Sequence, residues 1–327
     1  MRTFRSFCLK KTKAVYLMKS YKKIAPLFVI IGASLWGVDG IVLRPALFTL
    51  PVTLVVFLES TIVAILLTPI FLKRLPDLKN LSKGDWAAFI GVALLGGAIG
   101  TMAITKALFF VNFVNLSIVI LIQKLQPVFA IIFALLLLQE KPKRVFYLWA
   151  SLAIAGAYLL TFGHQKPVIS ATDKTGIAAL YAIIAAISFA ASTVLSKRAL
   201  RNIDYQMGTY IRFSLTALFM LMMVSLNGNL LHVSEVSEPQ WIIFMIIAFT
   251  SGGTAIFLYY YGLKEISASV ATICELAFPL TAVILEYWLH GNILDWAQWL
   301  GVILLISSIA RVSQLNNNRG DSKKVRN

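Results

Sequence analysis

The sequence predicts an all-α integral membrane protein: ten transmembrane helices arranged as two inverted five-helix repeats, with N- and C-termini cytoplasmic. Three observations predict it. The composition is too apolar for a soluble domain, lysine and arginine are distributed lopsidedly between the apolar segments, and a proline-broken segment occurs twice. Of 327 residues, 59% are hydrophobic and only 13% charged, with mean hydropathy +0.81, values that soluble globular chains do not reach. The formal charge of +16 does not point to nucleic acid. The basic residues sit in short stretches between apolar segments and at the two ends, and form no single amphipathic face.

A helix needs roughly 20 mostly apolar residues to cross a bilayer. On that rule the spans are 25–44, 51–72, 86–110, 115–138, 145–163, 176–196, 205–226, 239–263, 267–289 and 296–312. Before them lies a basic cytoplasmic arm, residues 1–23, for which contact with anionic lipid is a possible role. The apolar run after Lys23 is long enough to span and carries no early small-residue cleavage site, so it is expected to be a retained signal anchor. The run Met-Lys-Ser-Tyr-Lys-Lys from Met18 would itself make an ordinary start, which makes residues 1–17 an optional extension. Residues 164–175 form a polar linker, and 313–327 a polar basic tail. Cys8 and Cys274 are the only cysteines and imply no disulfide framework.

Basic residues set the orientation. With the N-terminus inside, the inner segments hold twenty-four lysines and arginines and the outer ones three: Arg44, Lys166 and Lys174. Lys106, Lys124 and Arg212 fall within spans. Nine or eleven helices would put half of this distribution on the wrong side.

The recurring segment is 115–138, with Gln123, Lys124, Gln126 and Pro127 at its middle, and 267–289. Laying Pro279 on Pro127 puts Glu275 on Gln123. A proline frees a backbone carbonyl in lipid, where only the protein can satisfy it, so two such helix breaks at matching places point to a two-fold repeat around a central polar site. An offset of 153 further aligns Trp36 with Phe189, Arg44 with Lys197 and Glu59 with Arg212, and an offset of 152 aligns Gly100 with Gly252 and Leu148 with Leu300. Five helices per half make the repeat an inverted one. The halves are 24–163 and 176–312.

The residues Gly32 to Gly37 (GASLWG), the run from Tyr259 to Leu289 and the run from Gln298 to Ser308 resemble EamA-type members of the drug/metabolite transporter superfamily. That resemblance covers about residues 24 to 312. It implies a ten-helix inverted-repeat carrier whose central cavity is lined mainly by the first four helices of each half, the fifth and tenth being peripheral. The chain departs from the pattern twice. The family's usual basic residue in the second helix is Glu59, with Arg212 keeping it in the second half. The glutamate that commonly ends the fourth helix is present as Glu140 but is Asn292 in the ninth.

Ionisable side chains deep in a span face a cavity or a partner. Asp39, Glu59, Lys124, Arg212 and Glu275 qualify. Lys124 lies about 13 Å into its helix at 1.5 Å per residue, and is expected to pair with Asp39 or Glu59, with Arg212 and Glu275 as the counterpart pair. The architectural alternative is two internal ion pairs that only fix helix register. With Gln123 these five are the polar translocation candidates, and the carboxylates among them allow proton coupling. Trp36 and Tyr260 are the favoured cavity aromatics within a set that includes Phe109, Phe110, Tyr181, Tyr259 and Tyr261. Gly96 and Gly100, and Gly252 with Gly253, allow close helix approach. His164, His232 and His290 fall in outer loops without metal-ligand spacing, and no nucleotide, zinc or nucleophile motif occurs.

The expected function is a secondary carrier of the plasma membrane or bacterial inner membrane, moving a small organic solute, an amino acid or similar zwitterion, by alternating access. It needs no cofactor, no metal and no catalytic residue. Its partners are the solute, membrane lipid and, in a proton-coupled form, protons. A nucleoside-like solute and a non-transporting scaffold subunit are the alternatives.

Overall fold

The computed structural model describes residues 24–110, 119, 122–164, 173–291 and 293–324. The basic arm, Asn115, most of the linker and Asn292 lie outside them. Every regular element among the described residues is helical: α1 (Ile24–Leu47), α2 (Val52–Phe71), α3 (Lys83–Phe110), α4 (Gln126–Leu138), α5 (Arg144–Phe162), α6 (Asp173–Ala199), α7 (Tyr205–Leu226), α8 (Glu238–Glu265), α9 (Ala268–Leu289) and α10 (Trp296–Lys324). Nine of these are long and apolar enough to cross a membrane; α4, the tenth, is a shorter apolar helix of 13 described residues.

Helix starts follow the polar residues between spans. Ser82 and Asp85 form a reciprocal capping box at α3, with Asp85 N donating to Ser82 Oγ at 3.2 Å and Ser82 N to Asp85 Oδ2 at 3.0 Å. Asp204 caps α7 by accepting from Met207 N at 2.8 Å and also binds Arg74. Burial pushes the Asp204 carboxyl up, but the Met207 amide and the Arg74 guanidinium outweigh it and hold it below the usual carboxylate range. Two connections differ from the sequence reading. The basic stretch after α2 is a 3-10 helix, Leu72–Asn80, and α10 continues to Lys324, through most of the expected tail. No glycine or proline interrupts the chain between Gly301 and Gly320, so nothing stops that helix at residue 312.

The packing joins the two halves, partly through corresponding helices, with α5 along α10 and α2 along α7, and partly through non-corresponding ones, with α3 against α6. A buried cluster through α1, α2, α5 and α7 to α10 includes Val29, Val63, Leu160, Tyr260 and Leu305. The α5–α10 crossing is close enough that a methyl added at Gly301 would sit 2.4 Å from the Leu160 amide nitrogen. In lipid, where no hydrophobic force drives helices together, such small residues let dispersion contacts hold them. Both third helices of the halves also widen into π-helical turns, Val92–Gly100 in α3 and Ala248–Gly252 in α8, at positions the 152-residue offset superimposes. Such turns are rare and concentrate at functional sites.

Substituting Gly301 by isoleucine should push α5 from α10 and lower the melting temperature of the detergent-solubilised protein, at a cost of about 1–3 kcal/mol for overpacking. Gly176→Ala, where no atom lies within 4 Å, should leave it nearly unchanged.

Candidate functional site

Both helix breaks fall just before the predicted prolines. The chain turns at Lys124 and Leu125 before α4, and at Glu275 and Leu276 inside α9. Pro127 lies in the first turn of α4, where its missing N–H is no loss. Pro279 cannot donate to the Glu275 carbonyl, and Phe278 N bonds that carbonyl instead at 3.0 Å. The two breaks meet across the halves, because Gln126 Nε2 donates to Glu275 Oε2 at 2.6 Å.

Between them lies a cavity of about 300 Å³, at the small end of the range for ligand sites. Trp36, Asp39, Glu59, Gln123, Lys124, Arg212 and Glu275 all line it, as do Pro127 and Pro279. None of the lining residues comes from α5 or α10. Phe189, Tyr259 and Phe278 complete an aromatic wall with Trp36. Trp36 is fixed by donating Nε1 to the Ser251 carbonyl at 3.0 Å, within the π-turn of α8, and its ring centroid lies 5.3 Å from that of Tyr259. Tyr260, the expected cavity tyrosine, is fully buried behind this wall, where its hydroxyl meets Ser196 Oγ at 2.9 Å and accepts from Arg212 Nη1 at 3.3 Å. One helical step of about 100° separates the two tyrosines, and Tyr259 is the one on the wall.

The expected ion pairs are replaced by a triad that the sequence reading missed. Arg44, expected at the outer end of its span, is buried and donates Nη2 and Nε to Asp39 Oδ2 at 2.6 and 3.0 Å. The same Nη2 reaches Glu59, lying 3.2 Å from Oε1 and donating to Oε2 at 3.4 Å, while Nη1 donates to Thr105 Oγ1 at 3.2 Å. In a regular α-helix residues 39 and 44 point about 140° apart. The π-turn Asp39–Leu43 closes its backbone from Arg44 N to the Asp39 carbonyl and brings the two side chains together. Arg44 thus sets a guanidinium beside Glu59, the position where the resemblance implied a basic residue.

Neither of the other expected pairs forms. Lys124 has no carboxylate within ion-pair distance among the described residues, because Arg44 already holds Asp39 and Glu59. Arg212 turns to Tyr260, and Glu275 accepts instead from Tyr259 Oη at 2.6 Å, Gln126, and Thr193 Oγ1 at 3.4 Å. Neutral donors can satisfy a buried carboxylate without adding a second charge to be desolvated. Gln123 Nε2 donates to the Ala182 carbonyl at 3.3 Å. At one end of the bundle, Glu140 accepts from Ala268 N at 2.8 Å, Ser269 N at 3.0 Å and Ser269 Oγ at 2.6 Å.

The profile of the EamA-like transporter family matches the chain twice, over residues 23–162 and 176–314. The chain belongs to the EamA-like transporter family. This EamA-like protein is 44% identical over 291 residues to "Riboflavin transporter ImpX" of Fusobacterium nucleatum subsp. nucleatum, covering 89% of this chain and 97% of that one. It is 30% identical to "Uncharacterized transporter sll1164" of Synechocystis sp., covering 71% and 67%, and 28% identical to "Uncharacterized transporter YwfM" of Bacillus subtilis, covering 89% and 94%. A solved crystal structure shares its fold, with a TM-score of 0.68 at 18% identity over 90% of this chain and 98% of the other. The EamA-like chain is a small-metabolite transporter, not an enzyme, and a multi-pass protein of the plasma membrane or bacterial inner membrane.

Arg44→Met would leave two buried carboxylates facing each other. It should destabilise the folded protein by about 3–5 kcal/mol, read as a fall in melting temperature, and the triple change Asp39→Leu, Arg44→Met, Glu59→Leu should recover much of that loss.

Proposed function

We propose that this chain carries riboflavin, or a solute with the same flat heteroaromatic body and uncharged polyhydroxylated tail, by alternating access of two inverted five-helix halves. The observation that carries the reading is the 44% identity spanning 97% of a riboflavin transporter. The cavity's chemistry supports it. Trp36, Phe189, Tyr259 and Phe278 offer ring faces and edges on which a planar heterocycle can stack. Arg44, Lys124 and Arg212 on the wall match Asp39, Glu59 and Glu275 in formal charge, which suits a neutral solute. An amino acid is the weaker candidate: an α-ammonium needs a free carboxylate, and all three are engaged by protein donors. No relative's name supports it, and the nucleoside-like alternative is chemically nearer to a flavin.

The inverted arrangement is supported by which residues share the cavity. The aligned pairs Trp36 and Phe189, Glu59 and Arg212, Gln123 and Glu275, and Pro127 and Pro279 all line it. Two halves of odd helix number, in an in-plane two-fold relation, would place exactly such pairs around one midplane site. On this reading both termini are cytoplasmic, the halves correspond to 24–163 and 176–312, and the acids on the wall are available for proton coupling, with a facilitative carrier as the other form of the same fold.

Purified protein in liposomes should take up labelled riboflavin with saturation, and Trp36→Ala should weaken the apparent affinity about threefold to tenfold, as expected for losing one aromatic contact. Flux equal to that of empty liposomes would overturn the solute assignment, and an inert scaffold would give none with any solute. A reporter active only in the cytoplasm should be active when fused after Asn327.

A further inference from the structure

Resting on the flavin reading, we infer that Lys124 recognises the carbonyl-bearing edge of the solute, its ammonium having no acid partner among the described residues so that the solute supplies the acceptor. Lys124 is only 4% exposed, yet it lines the cavity. Arg44 holds the two acids that would otherwise neutralise it, and Tyr259, Gln126 and Thr193 fill Glu275. Residues 111–121, just before it in the chain, contain no aspartate or glutamate. A buried ammonium without an acid is expensive in a membrane interior and is kept where a ligand or pathway uses it.

The helix break presents this group. At the turn of Lys124 and Leu125 the side chain leaves the chain between Gln123 and Gln126, and all three of these polar residues line the cavity. The pyrimidine ring of a flavin carries two carbonyl oxygens, one on each side of an N–H, and a ring-nitrogen acceptor next to the first of them; each carbonyl oxygen is a match for an ammonium that lacks a carboxylate. The methylated benzene end has no such acceptors and fits the aromatic wall.

A ligand-recognition role and an architectural one predict opposite changes in the empty protein. Removing a cation that props up the fold lowers stability, whereas removing one kept only for a ligand relieves its desolvation. The test measures riboflavin binding by flavin-fluorescence quenching and melting without ligand, on full-length wild type, Lys124→Met and Lys124→Arg, and repeats binding with 2-thioriboflavin, whose sulfur is a weaker acceptor. Lys124→Met should bind riboflavin about tenfold to a hundredfold more weakly, the loss expected for one hydrogen bond to a charged group. Its ligand-free melting temperature should be unchanged or higher, and Lys124→Arg should keep part of the affinity. Wild type should favour riboflavin over the thio analogue, and Lys124→Met should lose that preference. Equal riboflavin affinity in wild type and Lys124→Met overturns this inference alone. So does a wild type that binds the two flavins alike, a measurement that needs no variant, and so does weaker binding in Lys124→Met accompanied by lower ligand-free stability. A wild type that binds no riboflavin overturns the flavin reading and this inference with it.

Discussion

One guanidinium organises the charge of the whole interior. Arg44 reaches Asp39, Glu59 and Thr105 at once, and with both of the first half's cavity-lining acids engaged by it, neither is left for Lys124. Membrane interiors punish unpaired charge far more than water does, so how these few groups are shared decides which remains available to a solute. A conventional pairing of Lys124 with Glu59 would have given a quieter cavity.

The prolines act on the same economy of polar groups. Each break releases backbone from the helical ladder, and each is bonded locally, by Val128 N on the Leu125 carbonyl in the first half and Phe278 N on the Glu275 carbonyl in the second, while the side chains of Gln126 and Glu275 join the two breaks across the halves. Irregular backbone survives at membrane depth only where protein or a cavity satisfies it. Here both conditions hold at one place, and the broken helices of the two halves become opposite walls of a single chamber.

Much of this was legible in the amino-acid sequence. Span length and hydropathy identify nine of the helices, the prolines mark both breaks, and seven of the eight candidate side chains reach the cavity. The missing information is local geometry that periodicity cannot carry. Arg44 was unreadable because a π-turn, and not a regular helix, joins it to Asp39; Tyr259 and Tyr260 differ by one helical step that a consecutive pair of tyrosines leaves open. Pairing between distant helices was equally hidden: Gln126 stands out beside Pro127, but nothing in the sequence joins it or the uncharged Thr193 to Glu275.

Glu140 ends α4 in the first half, and its carboxylate holds two amides and a hydroxyl at the start of α9 in the second. The halves cannot part at that end without stripping three bonds from a carboxylate and baring the first turn of a helix. Any movement that separated α4 from α9 there would first have to give those donors another acceptor, such as water or a rearranged side chain. That link between the two halves therefore rests on one carboxylate that takes no part in the cavity wall.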